Sequence, residues 1–427
     1  MRRVGAWGRR GVTVALSCAL LGCGESRHTP PADAGGSGAP FVEDPRGEPG
    51  QLLVLDGLGL PFANFQVLVD DTVVTTDANG FAPLPSVGTT YDVSMVVAGG
   101  AETFRGMRAR APVFQFDFWS SLDEGAYVDL NIPLPALAGD QEFVYTAGAS
   151  DAGPFEEVSS NPPDIGREQV ATGAYWPPAL PVTTFSAEAF LVDTDDSGVY
   201  LGFSSYASQT FDVTSGDELV WSPVFGASPF ATKPIHVDFT LPPGATTPYY
   251  QAFVTEPSGR EGYLSDLGAV AKGDLLVPDL PGAVFTVSGT ASSADGTLSF
   301  AATAGGVHTG DSVTLEVHDG PVVLGPDNDA AVSADTDFSW SGRDGDVYEL
   351  ELETLRPDYS VFVYDIVTAE PTERIPDLSL LGVPFPEGQL YWETEALENL
   401  PAVDAYAAGT LSNAWSWTEQ RHAAVAH

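Results

Sequence analysis

Asp193, Asp195 and Ser197, in the run Asp-Thr-Asp-Asp-Ser-Gly at 193–198, carry oxygen ligands at alternate positions, with a glycine to permit a bend. That is the first half of a calcium loop, because alternate carboxylates can converge on one hard cation. The twelfth position is Ser204 rather than a closing glutamate, and a polar hairpin turn between FLVD and VYLGF accounts for the same residues. Calcium is thus a cofactor the sequence could recruit, and none is required. His236 and Asp238 share a strand face in IHVDF, yet two ligands do not complete a zinc site. Glu349, Glu351 and Glu353 in YELELET could supply an acid and a base for glycoside hydrolysis. They alternate with Leu350 and Leu352, which puts them on the outer, solvated face of a strand whose leucines point inward. Trp415 and Trp417 share one face of the last strand, where exposed indoles would stack on a sugar and covered ones would pack a core.

None of these groups is joined by a recognisable catalytic motif. The sequence contains no G-x-S-x-G elbow, no phosphate-binding G-x-x-x-x-G-K-[ST] loop and no H-E-x-x-H helix. With six histidines in 427 residues, proton-transfer groups that work near neutrality are scarce. The reading is therefore non-enzymatic, with a hydrolase site in the middle of the chain as the competing enzyme hypothesis.

The elements that must position these residues are strands. Gly (45) and Pro (34) are frequent without a collagen-like period, and short Val-, Thr- and aromatic-rich runs stand between turn clusters. QLLVLDG, FQVLVDD and YDVSMVV read as strands, and TDANG between the last two reads as a tight turn in which Gly80 takes a positive φ. Residues 120–317 hold many further short strands, with an irregular loop at 148–168. In FRGMRARAPVFQFDFW, Phe114, Phe116 and Phe118 alternate onto one face, the pattern of a core strand. The fold class is all-β: tandem β-sandwich domains that follow a signal peptide and a flexible tether.

Charge and address narrow the function. Residues 1–22 carry four arginines and no acid, followed by an apolar run of about ten residues that is too short to span a bilayer. Leu20-Leu21-Gly22-Cys23 resembles the bacterial lipobox, which implies cleavage before Cys23 and lipidation of its thiol. Lipidated Cys23 would anchor the chain to a membrane without a transmembrane helix. Gly24 is not the aspartate associated with inner-membrane retention, so the resemblance implies the outer membrane or cell surface. From Cys23 onward 13 basic side chains face 59 acidic ones, a formal charge of −46, which excludes nucleic acid as a partner. Residues 24–49 hold ten Pro or Gly and no apolar period, and would act as a tether reaching about 25–30 Å.

Two segments carry further resemblances. Asn64, Val67, Val69, Thr76, Asp77, Gly80, Phe81 and Tyr91 fall where the carboxypeptidase-regulatory-like, or transthyretin-like, β-sandwich has its characteristic residues. Toward the C-terminus, Trp340 and Tyr348, followed by Leu381, Pro386, Gly388 and Tyr391, resemble the fibronectin type III-like sandwich. The likeness implies a tyrosine corner at Tyr391. Both are structural or binding modules. The implied organisation is a signal peptide at 1–22, the lipidated Cys23 and tether at 23–49, and a carboxypeptidase-regulatory-like sandwich at 50–134. A middle β region follows at 135–317, then a fibronectin type III-like sandwich with a C-terminal strand at 318–427. Together they resemble β-rich envelope lipoproteins. The implied role is binding, adhesion or envelope structure, with an envelope protein or polysaccharide as partner, or carbohydrate binding assisted by calcium.

Overall fold

The structure is a computed structural model that describes residues 44–56, 59–97, 99–116, 126–137, 141–148, 156–161, 169–176, 184–195, 200–226, 231–246, 249–255, 261–267, 272–280, 283–343, 345–355, 361–409, 414–418 and 421–425. Cys23, with the segment read as signal and the tether as far as residue 43, lies outside the described residues, as do Phe118 and Ser197; residues 44–49 are described, and Arg46 donates to Gln115 Oε1 at 2.8 Å.

The chain is all-β. The first strands are β1 (Gln51–Leu55), β2 (Gln66–Val69), β3 (Thr72–Thr75), β4 (Phe81–Pro83), β5 (Tyr91–Val97), β6 (Gly100–Met107), β7 (Val113–Gln115) and β8 (Ala126–Pro133). The middle of the chain forms β9 (Gln141–Gly148), β10 (Glu156–Asn161), β11 (Gln169–Trp176), β12 (Thr184–Thr194), β13 (Tyr200–Asp212), β14 (Asp217–Val220), β15 (Thr232–Thr240), β16 (Tyr249–Thr255), β17 (Glu261–Leu267), β18 (Lys272–Pro278), β19 (Val284–Ser292), β20 (Leu298–Val307) and β21 (Ser312–Glu316). The last part forms β22 (Val322–Gly325), β23 (Ala331–Val332), β24 (Phe338–Ser341), β25 (Val347–Leu355), β26 (Val361–Thr368), β27 (Thr372–Glu373), β28 (Gln389–Glu398), the short helix α1 (Val403–Ala407), β29 (Ala414–Thr418) and β30 (Arg421–Val425).

Turn chemistry shapes the N-terminal strands as the sequence leads one to expect. Asp77 Oδ1 accepts from the amides of Asn79 (2.8 Å) and Phe81 (3.0 Å), and Gly80 sits at φ 78°. A Cβ there would lie 2.6 Å from the Val54 carbonyl oxygen, so both conformation and space require glycine. Within 148–168, residues 156–161 are not irregular. They form β10, an antiparallel partner of β9 at the edge of the sheet ordered β10-β9-β12-β13.

One 14-stranded sheet organises the molecule. Its main path is β17-β16-β19-β20-β29-β28-β25-β26-β6-β5-β2-β3, and β30 pairs with β28 and with β23. Strands from the beginning, middle and end of the chain therefore share one hydrogen-bonded ladder. The decisive joints are β20 with β29, antiparallel, and β26 with β6, parallel.

Smaller sheets cover this ladder on alternate faces. The sheet β4-β1-β7 closes a core with β2, β5 and β6, which buries Leu52, Val54, Val93, Met95, Phe104 and Phe114. The sheet β22-β24-β27 covers the opposite face of β25, β26 and β28, burying Trp340, Leu350, Leu352, Ile366 and Trp392. A third core lies between β18-β15-β21 and β19 and β20, joined by Val144, Phe190, Val192 and Phe203, and a fourth within β8–β14. Phe114 and Phe116 are core residues, as their alternation suggests, with Phe114 5.4 Å from Phe104 between ring centroids.

Candidate functional site

Register brings together residues that are far apart in sequence. Cross-strand partners share a face, and adjacent strands lie about 4.8 Å apart. Glu102 of β6 stands opposite Asp365 of β26, Asp365 opposite Glu351 of β25, and Glu351 opposite Glu393 of β28. One carboxyl per strand thus forms a row across four adjacent strands. Glu349 opposite Glu395 and Glu353 opposite Tyr391 flank it on the same face. All seven carboxyl side chains are half-buried. Val347, Val367 and Leu397 continue the face and pack into the N-terminal core, so acid replaces apolar surface where that core ends.

The YELELET alternation holds. Leu350 and Leu352 are fully buried in the C-terminal core, while the glutamates take the other face. That face differs from a freely solvated one because acids on neighbouring strands crowd it. Burial, then the charges of Glu393, Glu349 and Glu353, pushes the Glu351 carboxyl up to about 8. Burial, then Glu353 and Glu349, pushes Glu393 up to about 7. Asp365 and Glu395 are raised well above the ordinary carboxylate range by the same combination. Glu351 and Glu393 therefore exchange protons near neutral pH, which ordinary surface carboxylates do not. One neighbour donates into the cluster: the Tyr406 hydroxyl of α1 lies 3.1 Å from Glu349 Oε2.

Asp193 lies at the end of β12, where Oδ1 accepts from Gln141 Nε2 at 3.0 Å. The same amide reaches Ser204 Oγ at 3.0 Å, so Gln141 links Asp193 to the position where a calcium loop would need glutamate. Asp195 is exposed. Among the described residues no three His, Cys, Asp or Glu side chains form a group able to hold a metal ion. His236 Nδ1 lies 2.6 Å from Asp274 Oδ1, and Asp238 pairs with Lys272, so this strand face carries a cross-strand hydrogen bond and a cross-strand ion pair.

The tryptophan strand is neither last nor an edge. β29 is bonded to β20 on one side and to β28 on the other, and β30 follows it. Trp417 is half-buried opposite Glu395 and Ser299, and Trp415 stands in register with Leu397 and Ala301. The alternation in AWSWT is legible as a strand, but its position depends on partners about 20 and more than 100 residues upstream.

Sequence reasoning missed the buried acids outside obvious motifs. Glu398, 1% exposed, accepts the His318 amide at 2.9 Å and lies 2.6 Å from His318 Nδ1. Asp404, 3% exposed, accepts from the amides of Arg108 and Ala109. No local pattern marks either one, because each partner lies at least 80 positions away.

No protein-family model and no curated protein matches the chain. Among solved structures, the TIE protein of Bacillus anthracis aligns at 10% identity over 62% of this chain and 50% of its own, with a TM-score of 0.16. The chain thus spans half the length of that protein. A putative adhesin from Bacteroides ovatus aligns at 9% identity over 46% of this chain and 94% of its own, with a TM-score of 0.18. A leucine-rich repeat protein from Bacteroides thetaiotaomicron aligns at 12% identity over 46% and 26%, with a TM-score of 0.16. Similarity of this degree carries no argument about function. No helix among the described residues is long and apolar enough to cross a membrane.

Proposed function

We propose that this chain is a lipid-anchored protein of the bacterial cell envelope, held through Cys23, whose β-sandwiches serve a non-enzymatic binding, adhesion or structural role. The observation that carries this reading is the shared sheet. Strands from 66–107, 249–307 and 331–425 belong to one ladder, so the modules behave as a hydrogen-bonded unit able to transmit load. The lipobox, the strongly acidic composition and the lack of catalytic motifs in the sequence support the same reading. In it, 50–134 and 318–427 are the carboxypeptidase-regulatory-like and fibronectin type III-like modules, and the tether presents them on the outer membrane or cell surface.

Mass spectrometry of the chain purified from membranes tests the anchor. The expected species begins at a diacylglycerol-modified Cys23, and Cys23→Ser moves the chain to the soluble fraction. An unlipidated mature chain that starts elsewhere overturns the anchor. Surface attachment of cells lacking the protein, compared with complemented cells, tests the adhesive role.

A further inference from the structure

The parallel pairing of β6 with β26 is where N-terminal strands join C-terminal ones, with Gly100 to Phe104 in register with Val363 to Val367. The row of carboxyls crosses that joint through Glu102 and Asp365 and continues outward through Glu351 and Glu393. Like charges directly opposite one another on a sheet are destabilising. Here that opposition recurs at three successive strand boundaries on a half-buried face. We propose that this carboxyl row makes the β6–β26 joint proton-controlled, so that acidification tightens the union of the N-terminal and C-terminal strands and alkalinisation loosens it.

The groups facing the row come from every neighbouring element. β6 supplies Glu102, β26 Asp365, β25 Glu349, Glu351 and Glu353, and β28 Tyr391, Glu393 and Glu395. Met95 of β5 stands opposite Glu102, Trp417 of β29 opposite Glu395, and His422 of β30 opposite Tyr391 in the register. From α1, Tyr406 donates to Glu349, while Asp404 is engaged by the amides of Arg108 and Ala109. The guanidinium of Arg105 pairs instead with Asp92 at 2.7 Å and with Glu373 of β27, in the sheet that covers the opposite face, at 3.3 Å.

The sign follows from linkage. An unfolded glutamate releases its proton near pH 4.3, whereas the folded chain holds the Glu351 proton until about 8 and the Glu393 proton until about 7. Between those limits folding takes up protons, so stability is lowest above pH 8 and grows as pH falls through the folded-state values. Below the unfolded value both states are protonated and nothing more is gained.

Hydrogen exchange on the full-length chain in chelator-containing buffer tests the proposal, with protection factors corrected for intrinsic rates. Between pH 8.5 and 5.5, protection at 100–104 and 363–367 is expected to rise by at least about tenfold, the equivalent of one pKa unit. Amides of β15 and β18 should show no comparable rise. Glu351→Gln with Asp365→Asn is expected to flatten the response and to give at pH 8.5 the protection that the natural chain reaches only in acid. Should that variant fail to fold, Glu393→Gln at the end of the row serves instead, and must move the response midpoint to lower pH. Four outcomes overturn the proposal: protection that stays level or falls on acidification, an equal rise in β15 and β18, a response that survives the double substitution, or an unmoved midpoint in Glu393→Gln.

Discussion

Asp404 Oδ1 accepts a hydrogen bond from the Ala109 amide at 2.7 Å across 295 positions of sequence. The same oxygen takes the Arg108 amide at 2.9 Å, and the carboxylate is 3% exposed. The chain leaving β6 would otherwise bury two donors without acceptors, and α1 supplies a charged one. This clamp ties the segment that follows β6 to α1 near the C-terminus. Charge-assisted bonds contribute about 1.5–3 kcal/mol, and a buried donor left unmatched costs about 1–3 kcal/mol. Asp404→Ala is therefore expected to destabilise the chain by about 3 kcal/mol, read by chemical denaturation. Asp404→Asn keeps an acceptor and should cost clearly less. Equal losses for the two would mean that the carboxylate is not acting through these amides.

Trp340 occupies the centre of the C-terminal core, 1% exposed and with its ring centroid 5.6 Å from that of Tyr348. Tyr348 is tied to the turn before it, where the Arg343 amide donates to its hydroxyl at 2.6 Å. Burial pushes the Tyr348 phenol up to about 12, so it remains a neutral hydrogen-bonding group over the working range of pH. Truncating Trp340 removes the largest side chain between β24 and β25. Trp340→Ala is expected to cost about 3–5 kcal/mol, the range for large aromatic deletions in cores. A shift in the denaturation midpoint equivalent to less than about 1 kcal/mol would show that β22, β24 and β27 are not integral to this core.

Glu393 carries the pH dependence that a single substitution can read. Its proton is held until about 7 by burial and by Glu353 and Glu349, so above that pH the folded chain contains a charge its surroundings oppose. Glu393→Gln removes the opposition. The variant should melt at a higher temperature than the natural chain at pH 8.5, and the difference should shrink as pH falls and be nearly gone by pH 5. Raised folded-state values make acid stabilising, the reverse of the usual salt-bridged carboxylate. A difference that grows on acidification would contradict this assignment.

Alternation made much of the fold legible. YELELET and YSVFVYDIVTAE contain their strands, and Leu350, Leu352, Phe362, Tyr364 and Ile366 are buried as period-two reading requires. TDANG contains its turn, with Gly80 at positive φ. What alternation cannot supply is the partner. Asp365 is one acid among apolar residues until β6 and β25 place Glu102 and Glu351 beside it. The same limit applies to AWSWT, a strand by pattern whose interior position depends on β20 and β28. Asp404 and Glu398 were invisible for a further reason: a buried carboxylate is defined by the amides or imidazole it meets, and nothing adjacent in sequence announces those.

Gly100 shows how closely the two halves approach. It begins β6 opposite Val363, and a Cβ added there would lie 2.8 Å from the Val363 carbonyl oxygen. That oxygen is backbone of the paired strand, so it cannot turn aside as a flexible side chain could. Gly100→Ala must therefore displace β26 from β6 at one end of their pairing. Overpacking of this kind typically costs about 1–3 kcal/mol. Gly99, one residue earlier, has open space where a Cβ would stand but a φ of 86°, so Gly99→Ala acts through backbone strain alone. Hydrogen exchange separates the two mechanisms. Gly100→Ala is expected to lower protection along 363–367 as well as along β6, whereas Gly99→Ala should leave 365–367 close to the natural chain. Uniform loss of protection in both variants, with no excess along 363–367 for Gly100→Ala, would show that close approach at this position is not what holds β26 to β6.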